Sequence, residues 1–289
     1  MGAKEMVSKK KIQELKKKWE SLTISSDIMF GMVMEDKTLC LELIRRAVPE
    51  LKVESIQMVR HQLTVDGPLD ARGGRFDIFA KDKNGRLFVV EMQVVNEQNL
   101  PYRLRYYQDL MDYTILNEGD PYSKLSRYET YAIVFCDFDY YGYGDMRYDV
   151  ENRVVQHLDD PTRDHQHMIV FNAKSKELHG NIKIKNFLKL MHGQVVTNDE
   201  FVERLIKIMN KIKKDPERRR NFMSYEMNLM DARDEGEEKG LEKGLGQGIK
   251  GAAQLLKSYE PNREKIVKAL MHKFNLTQTE AKHYLDSTD

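Results

Sequence analysis

Apolar and polar positions recur along the first half of the chain in a pattern that predicts its secondary structure. Residues 25–51 carry apolar side chains at helical spacing, and Pro49 ends the helix. The predicted N-cap is Ser25, Ser26 or Asp27. The elements predicted next are strands over residues 55–66, 75–82, 86–94 and 127–139, a loop over 67–74, and a helix over about 97–117.

The order helix, strand, strand, strand, helix, strand predicts a mixed α/β domain that ends near residue 175. A further pair of strands is expected over residues 146–173, and helical patterns follow over 176–193 and 198–236. The predicted segments are a basic N-terminal helix (1–22), an α/β core (23–175), a helical extension (176–235), a glycine-repeat helix or linker (236–251) and a small helical module (252–289).

Glycine recurs at every fourth position over residues 236–248. This spacing lines the glycines on one face of a helix, where a second helix can approach closely; the alternative is a loosely helical, charged linker.

The sequence of residues 262–286 predicts two helices around a turn at Asn275, and Thr277 with Glu280 forms a capping box for the second helix. The helical C-terminal region is therefore a candidate for homo-oligomerisation.

Charge and cysteine content limit the class of protein. The chain has 47 Lys and Arg against 46 Asp and Glu, so contact with nucleic acid must come from local basic patches. Cys40 and Cys136 lie in apolar runs and predict two buried thiols, which suits a reducing compartment. The N-terminus lacks the apolar core of a signal peptide, and no run is long enough to span a membrane. We therefore expect a cytoplasmic protein without a membrane partner.

A β-hairpin with a defined register is predicted for RFDIFAKDKNGRLFVVEMQV. A type I turn followed by left-handed Gly85 makes the common three-residue bulged loop, in which Asp82 pairs with Arg86. One face of the hairpin is then apolar, whereas a two-residue Asn-Gly loop would mix polar residues into it. In the bulged register Asp77 lies directly opposite Glu91, with their Cβ atoms about 4.5–5.5 Å apart.

Two carboxylates in this position repel each other, and a divalent cation would relieve the repulsion. Mg²⁺ is typically held by one or two carboxylates and completes its shell with water and phosphate oxygens. Arg75 and Gln93 form the next pair outward, where an arginine can hold a phosphate and a glutamine can orient a water. The alternative is a solvated outer face on which Arg75 and Lys81 neutralise the two acids.

These residues resemble the PD-(D/E)XK nuclease superfamily, whose core is a helix, three strands, a helix and a strand. Similarity to its bacterial branch, the recombination-promoting nuclease and putative transposase (Rpn) family, rests on RFDIFAKDKNGRLFVVEMQ, SSDIMFGMVMEDKTLCLELI, NLPYRLRYYQDLMDYTILNEGDPYSKL and YAIVFCDFDYYG. It extends over about residues 25–224, and the glycine-repeat tail also resembles that family. The resemblance implies a restriction-endonuclease-like αβββαβ core with a mixed sheet, followed by a helical C-terminal region.

The resemblance also implies a Mg²⁺-dependent (or Mn²⁺-dependent) DNA endonuclease associated with recombination or transposition. Asp77 and Glu91 would be its metal ligands, and Gln93 stands where the family has a lysine. Asp27 matches an acidic position in the family's first helix and would complete the acidic cluster; its alternative role is the N-cap. Because glutamine carries no charge, activation of the attacking water would depend mainly on the metal.

The helix over residues 97–117 supplies candidate contacts to DNA. In this interpretation Arg103, Arg105 and Gln108 lie beside the cleft and contact DNA without sequence specificity, and Arg75 of the hairpin joins them. The tyrosines between these residues are expected to pack largely in the core. The alternative is that the arginines are simply solvated.

Two further functions are compatible with the sequence. One is a nuclease fold that has lost catalysis and serves DNA binding or self-association, and the other is a structural oligomer built on the glycine-repeat helix. Convergence of Asp77, Glu91 and Gln93 on one open cleft favours the enzyme. If Glu91 instead points into a sealed core or pairs with a lysine, the enzyme interpretation fails.

Overall fold

The structure is a computed structural model that describes residues 3–65, 74–176, 182–194 and 196–287. The chain divides into two units, Met1–Arg219 and Arg220–Asp289. The loop predicted over residues 67–74 lies outside the described residues except for Gly74.

Helices precede the sheet. They are α1 (Ala3–Ser21), α2 (Asp27–Met34) and α3 (Lys37–Ala47), followed by a short 3-10 helix at Pro49–Leu51. The single helix predicted over residues 25–51 is thus wrong, because Asp36 caps a new helix by accepting backbone N–H groups two and three residues later. Ser26 occupies the N-cap position of α2, and Asp27 is the first residue of that helix.

The strands occupy the middle of the chain. The elements are β1 (Ile56–Val65), β2 (Gly74–Asp82), β3 (Leu87–Gln93), α4 (Leu100–Tyr113), a 3-10 helix (Tyr122–Arg127), β4 (Thr130–Cys136), β5 (Arg147–Val150), β6 (Arg153–Val154), β7 (His157–Pro161) and β8 (Gln166–Asn172). Six strands form one sheet in the order β1-β2-β3-β4-β8-β5, and β6 pairs with β7 separately. Strand β4 is parallel to β3 and β8, while the other pairs are antiparallel. The predicted αβββαβ core with a mixed sheet is confirmed.

Strand β4 is the central strand, and every residue in it is buried. It pairs with β3 so that Val134 lies beside Glu91. Helix α4 packs Leu104, Tyr107 and Met111 against this part of the sheet. A continuous apolar run suits a strand that is covered on both faces. This packing places α4 directly over the strand that carries Glu91.

The rest of the chain is helical. Its helices are α5 (Ile182–Met191), α6 (Glu200–Lys214), α7 (Pro216–Tyr259), α8 (Arg263–Phe274) and α9 (Gln278–Asp286). The helix predicted over residues 198–236 is interrupted between Lys214 and Pro216, and proline is well suited to begin α7. The turn at Asn275, with a φ of 54°, and the capping box of Thr277 with Glu280 are both present.

The predicted glycine-repeat segment, residues 236–251, lies within α7. The second unit has its own small core, formed by Ile249, Ala253, Ile266, Val267, Leu270, Ala281 and Leu285. A Cβ atom added at Gly236, Gly240, Gly244 or Gly248 would have no described atom within 4 Å. The four-residue glycine face is thus not packed against another described element, and self-association through it stays a prediction.

Two expectations from composition can be compared with the structure. Cys40 and Cys136 are free and buried, as predicted. Within the described ranges, no helix combines the length and the apolar character needed to cross a membrane.

Candidate active site

The turn of the β2–β3 hairpin sets its register. Gly85 has a φ of 86° and donates its N–H to the carbonyl of Asp82, whose own N–H donates to the carbonyl of Arg86. Four cross-strand pairs follow, and the last of them is Ile78 with Val90. The bulged three-residue loop and its register are therefore confirmed over these pairs.

Beyond Ile78, two carboxylates replace the backbone ladder between the strands. The N–H of Asp77 donates to Glu91 Oε1 at 2.8 Å, and the N–H of Met92 donates to Asp77 Oδ2 at 3.1 Å. Each side chain thus accepts a backbone hydrogen bond from the opposite strand. Asp77 and Glu91 thus contact each other across the two strands, but the ladder described between β2 and β3 ends before them, so their direct opposition in the register stays a prediction.

Glu91 lies beneath α4, with 1% of its side chain exposed. Its Oε2 accepts a hydrogen bond from the hydroxyl of Tyr107 at 2.9 Å and is 3.5 Å from Nη2 of Arg103. Arg103 and Tyr107 are one turn apart on α4 and therefore share a face. Arg103 donates to the Tyr107 hydroxyl from Nε at 3.1 Å and from Nη2 at 2.6 Å. These two bonds leave the hydroxyl hydrogen directed at Glu91.

The pKa values of the two acids are shifted as burial and mutual repulsion require. Burial raises the pKa of Glu91, and the charge of Asp77 raises it further. The hydroxyl of Tyr107 and the guanidinium of Arg103 act in the opposite direction. Burial also raises the pKa of Asp77, against the backbone hydrogen bond that it accepts. Both acids therefore favour the neutral form more than an exposed carboxyl group does.

Asp27 stands near these acids at the start of α2. It is exposed, and its charge adds to burial in raising the pKa of Asp77. The structure thus brings Asp27 within electrostatic range of the Asp77–Glu91 pair. Among the described residues, no group of three or more His, Cys, Asp or Glu side chains is arranged to hold a metal ion. A role for Asp27 as a third ligand stays a prediction.

Gln93 lies at the end of β3 and is partly exposed. Its Oε1 accepts a hydrogen bond from Arg103 Nη1 at 2.6 Å, so Arg103 bridges Gln93 and Glu91. The side chain of Arg103 is 31% exposed, and Asp77 is partly exposed as well. Three of the four side chains therefore reach the surface. Glu91 is the enclosed member, and its cationic neighbour is an arginine rather than a lysine.

The donor set at this site fits a hard divalent cation. Asp77 Oδ1 accepts no hydrogen bond from a described residue, and each oxygen of Glu91 accepts one, so lone pairs remain on both carboxylates. Mg²⁺ needs only one or two carboxylates when water and phosphate oxygens complete its shell. A cation here would also offset the burial and repulsion that raise both pKa values. Asp77 and Glu91 are therefore the residues that would hold it.

The predicted DNA contacts divide into exposed and buried residues. Arg75 and Arg105 are exposed, and Arg103 is partly exposed at the site itself. Gln108 is 1% exposed and donates from Nε2 to the carbonyl of His167 in β8 at 2.9 Å. Its predicted contact with DNA is wrong, because its amide lies between α4 and the sheet.

The role of Tyr107 was not predicted, because the tyrosines of α4 were expected to serve mainly in packing. Tyr107 does pack edge-on against Phe76, with ring centroids 5.6 Å apart, but its hydroxyl also contacts Glu91. One sequence signal pointed to this role. Tyr107 follows Arg103 by four residues, so the two polar groups must project from the same face of a helix beside the hairpin.

A comparison with known proteins bears on these residues. A family model described as PD-(D/E)XK nuclease family transposase matches residues 28–243, well over half of the chain. The match includes Asp77, Glu91 and Gln93, as well as the helix that covers them. No curated protein and no solved structure matches the chain.

Proposed function

The chain belongs to the PD-(D/E)XK nuclease family of transposases, and from that membership we propose that it is a metal-dependent endonuclease. Its substrate is DNA, whose phosphodiester bonds it hydrolyses in recombination or transposition, and its cofactor is Mg²⁺ or Mn²⁺. PD-(D/E)XK nucleases generally use divalent metal ions. The observation that carries the proposal is the meeting of Asp77 and Glu91, two acids of raised pKa, where the β2–β3 ladder ends.

In this proposal Asp77 and Glu91 hold the cation, and Asp27 adds negative charge from the solvent side. When bound, the cation lowers the pKa of the attacking water and neutralises charge on the phosphate. Tyr107 and two backbone N–H groups hold the carboxylates in place before the substrate arrives. Enclosure of Glu91 strengthens its attraction to a cation, because less water screens the charge.

Gln93 occupies the position of the lysine in the family pattern. Its amide is neutral, but Arg103 contacts its Oε1 and brings a guanidinium to the same place. We assign to Arg103 the positive charge that stabilises the phosphate in the transition state. Gln93 Nε2, which donates to no described residue, positions the attacking water.

Nicking of supercoiled plasmid by the purified full chain tests this proposal. We expect Asp77→Ala and Glu91→Ala each to lower the nicking rate by about 100-fold or more with either Mg²⁺ or Mn²⁺. Glu118→Ala removes an exposed acid elsewhere and should retain the wild-type rate. Equal activity in all four proteins would identify a contaminating nuclease and overturn the mechanism.

A second function is favoured by two observations: Glu91 is 1% exposed, and Gln93, at the lysine position, is neutral. Both features suit a nuclease fold that binds DNA without cutting it. The decisive comparison is between wild type and Gln93→Lys. A wild type that binds DNA but nicks no plasmid, together with a Gln93→Lys variant that does, would establish this second function in place of the first.

Self-association through the helical C-terminal region is also proposed. Its support is the glycine face of α7, which meets no other described element. The solution mass of the full chain is compared with that of a chain ending at Asp231. An unchanged oligomeric state would remove this role from the glycine repeat.

A further inference from the structure

A cavity of about 500 Å³ lies over β1 and β2 beside the C-terminal end of α4. Its lining includes Arg60, Lys81, Tyr113 and Tyr128 together with apolar residues such as Phe79. A cavity of this size accommodates a small organic group such as a nucleotide. None of these residues takes part in the candidate active site.

The cavity lies on the same face of the sheet as the Asp77–Glu91 pair. Phe79 and Leu87 of its lining belong to the apolar cluster that α4 covers with Leu104 and Tyr107, and the Tyr107 hydroxyl also contacts Glu91. From Asp77 to Lys81 the strand advances about 13 Å. That distance equals the rise of about four nucleotides along a B-form strand. A DNA strand at Asp77 can therefore reach the cavity.

The cations of the cavity have no acidic partners among the described residues. Within the described part of the chain, Arg60 and Lys81 form no ion pair, and the lining includes no Asp or Glu. Another cavity, of about 930 Å³ beside α6, differs because Glu42, Asp199 and Glu200 accompany its arginines. Uncompensated arginine and lysine side chains around one cavity favour a phosphate-bearing ligand.

Two aromatic rings complete the cavity. Tyr113 is 53% exposed at the end of α4, and the ring centroid of Tyr128 is 5.8 Å from Lys81 Nζ. An exposed ring beside cations is the arrangement on which bases of a single strand stack, and each stacked base contributes about 1–3 kcal/mol. Bases inside a duplex stack on one another instead. The cavity therefore suits an unpaired nucleotide.

We propose that this cavity binds an unpaired nucleotide of the DNA strand that enters the active site. Arg60 and Lys81 contact its phosphates, and its base stacks on Tyr113. This inference rests on the proposed nuclease function and specifies its substrate class: DNA with a single-stranded segment, such as an overhang, gap or flap, close to the cleaved bond.

Binding of the full chain to fluorescently labelled DNA in EDTA tests the inference without cleavage. The ligands are a duplex with a single-stranded overhang and the matching blunt duplex. We expect Arg60→Gln with Lys81→Gln to weaken binding to the overhang substrate about ten-fold or more, and to reduce the slope of log K against log salt by about 1.4. The control is Lys207→Gln with Lys211→Gln, which removes two positive charges from α6, outside the cavity. Its affinity for the overhang substrate and its salt dependence should stay close to those of the wild type.

Substitutions of Tyr113 separate stacking from charge. Tyr113→Ser should weaken binding of the overhang substrate about five-fold or more, whereas Tyr113→Phe keeps the ring and the wild-type affinity. Neither should alter binding of the blunt duplex. Melting temperatures equal to that of wild type show that the variants are folded.

The possible failures of the two proposals are distinguishable. If the Arg60/Lys81 double variant binds the overhang substrate as tightly as the Lys207/Lys211 control, the role of the cavity is overturned. The nuclease function still stands in that case if the wild type nicks plasmid. If the Arg60/Lys81 double variant keeps its DNA binding but no longer binds polyglutamate, the cavity is assigned to an acidic protein. That result would also overturn the proposed nucleotide site. A wild type that neither binds nor nicks DNA would instead overturn the nuclease function itself.

Discussion

Two buried carboxylate sites in the first unit have opposite electrostatic character. Asp199, at the N-cap of α6, is 7% exposed, and Glu91, beside Asp77, is 1% exposed. Each lies close to an arginine, Arg46 in the first case and Arg103 in the second. The pKa of Asp199 nevertheless falls, while those of Glu91 and Asp77 rise.

The hydrogen-bond donors and the positive charge around Asp199 are enough to stabilise its ionised form. Burial acts to raise the pKa of Asp199, but hydrogen bonds from Arg46 and Asn186 outweigh it and lower the pKa to about 2. Arg46 binds both carboxylate oxygens, at 2.7 and 2.9 Å, and the backbone N–H groups of Phe201 and Val202 also donate to the carboxylate. A carboxylate with this many donors is stable as an anion and needs no further ligand.

The Asp77–Glu91 site is short of positive charge by comparison. One nitrogen of Arg103 lies 3.5 Å from Glu91, and the same guanidinium also donates to Tyr107 and Gln93. The charge of Asp77 raises the pKa of Glu91, whereas no carboxylate is among the main influences on the pKa of Asp199, although Glu42 also binds Arg46. Burial alone thus does not distinguish a structural acid from a functional one. The number of donors and positive charges around it does, and a buried acid with few of them is one whose charge a bound cation would stabilise.

The largest expected difference between the sites concerns their arginines. Arg46→Met removes the partner of an acid that stays ionised, so we expect the free energy of unfolding to fall by about 3–5 kcal/mol. Arg103→Met should lower it by only about 1 kcal/mol, because Glu91 and Asp77 can take up a proton instead. Urea unfolding of the full chain at neutral pH, without divalent metal, measures both. Equal losses would show that the two sites do not differ in this way.

Removal of the charge from each acid should have opposite effects. Glu91→Gln eliminates an unfavourable charge in the metal-free protein and should raise the free energy of unfolding by about 1–3 kcal/mol above neutral pH. Asp199→Asn is the matched substitution and should lower it, because Arg46 then loses its two-oxygen ion pair with Asp199, although it keeps Glu42 as a charged partner. Thermal unfolding measures both variants. Shifts of the two melting temperatures in the same direction would refute the assignment.

The pH dependence of stability should also differ in sign. A carboxyl group whose pKa is raised by folding stabilises the folded state at low pH, and this contribution is lost as the pH rises from about 4 through the raised pKa. The advantage of Glu91→Gln over wild type should therefore grow from about pH 5 to about pH 8. The pKa of Asp199 is lowered by folding, so Asp199 stabilises the folded state when the pH is above the ordinary pKa of an aspartate. That contribution is lost as the pH falls from about 4 towards 2.

Melting curves of the wild type and both variants across this range test these signs. An advantage of Glu91→Gln that is constant with pH would count against a raised pKa at the site. A loss in Asp199→Asn that disappears already at neutral pH would count against the lowered pKa of Asp199.

The local chemistry of the hairpin could be predicted from the sequence, whereas its surroundings could not. Gly85 and Asp82 determine the turn through short-range hydrogen bonds, so the register down to Ile78 with Val90 follows from neighbouring residues. The position of α4 depends on contacts between distant parts of the chain. Glu91 was therefore expected on an open face and is found beneath Tyr107.

The same limit explains the two other errors near the site. Gln108 has the polarity of a surface residue, but its amide is directed to the β8 backbone in the folded chain. The apolar periodicity of residues 25–51 continues across Asp36, so periodicity alone did not reveal the cap that divides the helix. In both cases the deciding feature is a specific hydrogen bond rather than a pattern of polarity.

The smallest expected effect comes from the hydroxyl that orients Glu91. Tyr107→Phe retains the packing against Phe76 and should change the free energy of unfolding by about 1 kcal/mol or less without metal. It should weaken Mn²⁺ binding about ten-fold, because the carboxylate loses its positioning partner. Tyr131→Phe, which removes a hydroxyl that donates to Glu129, is the control and should leave metal affinity unchanged. Equal affinities in both variants would remove the orienting role from Tyr107.

Calorimetric titration of the full chain with Mn²⁺ near pH 7 tests most directly that Asp77 and Glu91 form a cation site. Repeating it in buffers with different heats of ionisation gives the number of protons released along with the affinity. We predict that the wild type binds Mn²⁺ and releases protons, while Asp77→Asn and Glu91→Gln bind it about ten-fold or more weakly and release fewer. Mn²⁺ binding that is unchanged in both variants, or that releases no protons from the wild type, would contradict the account.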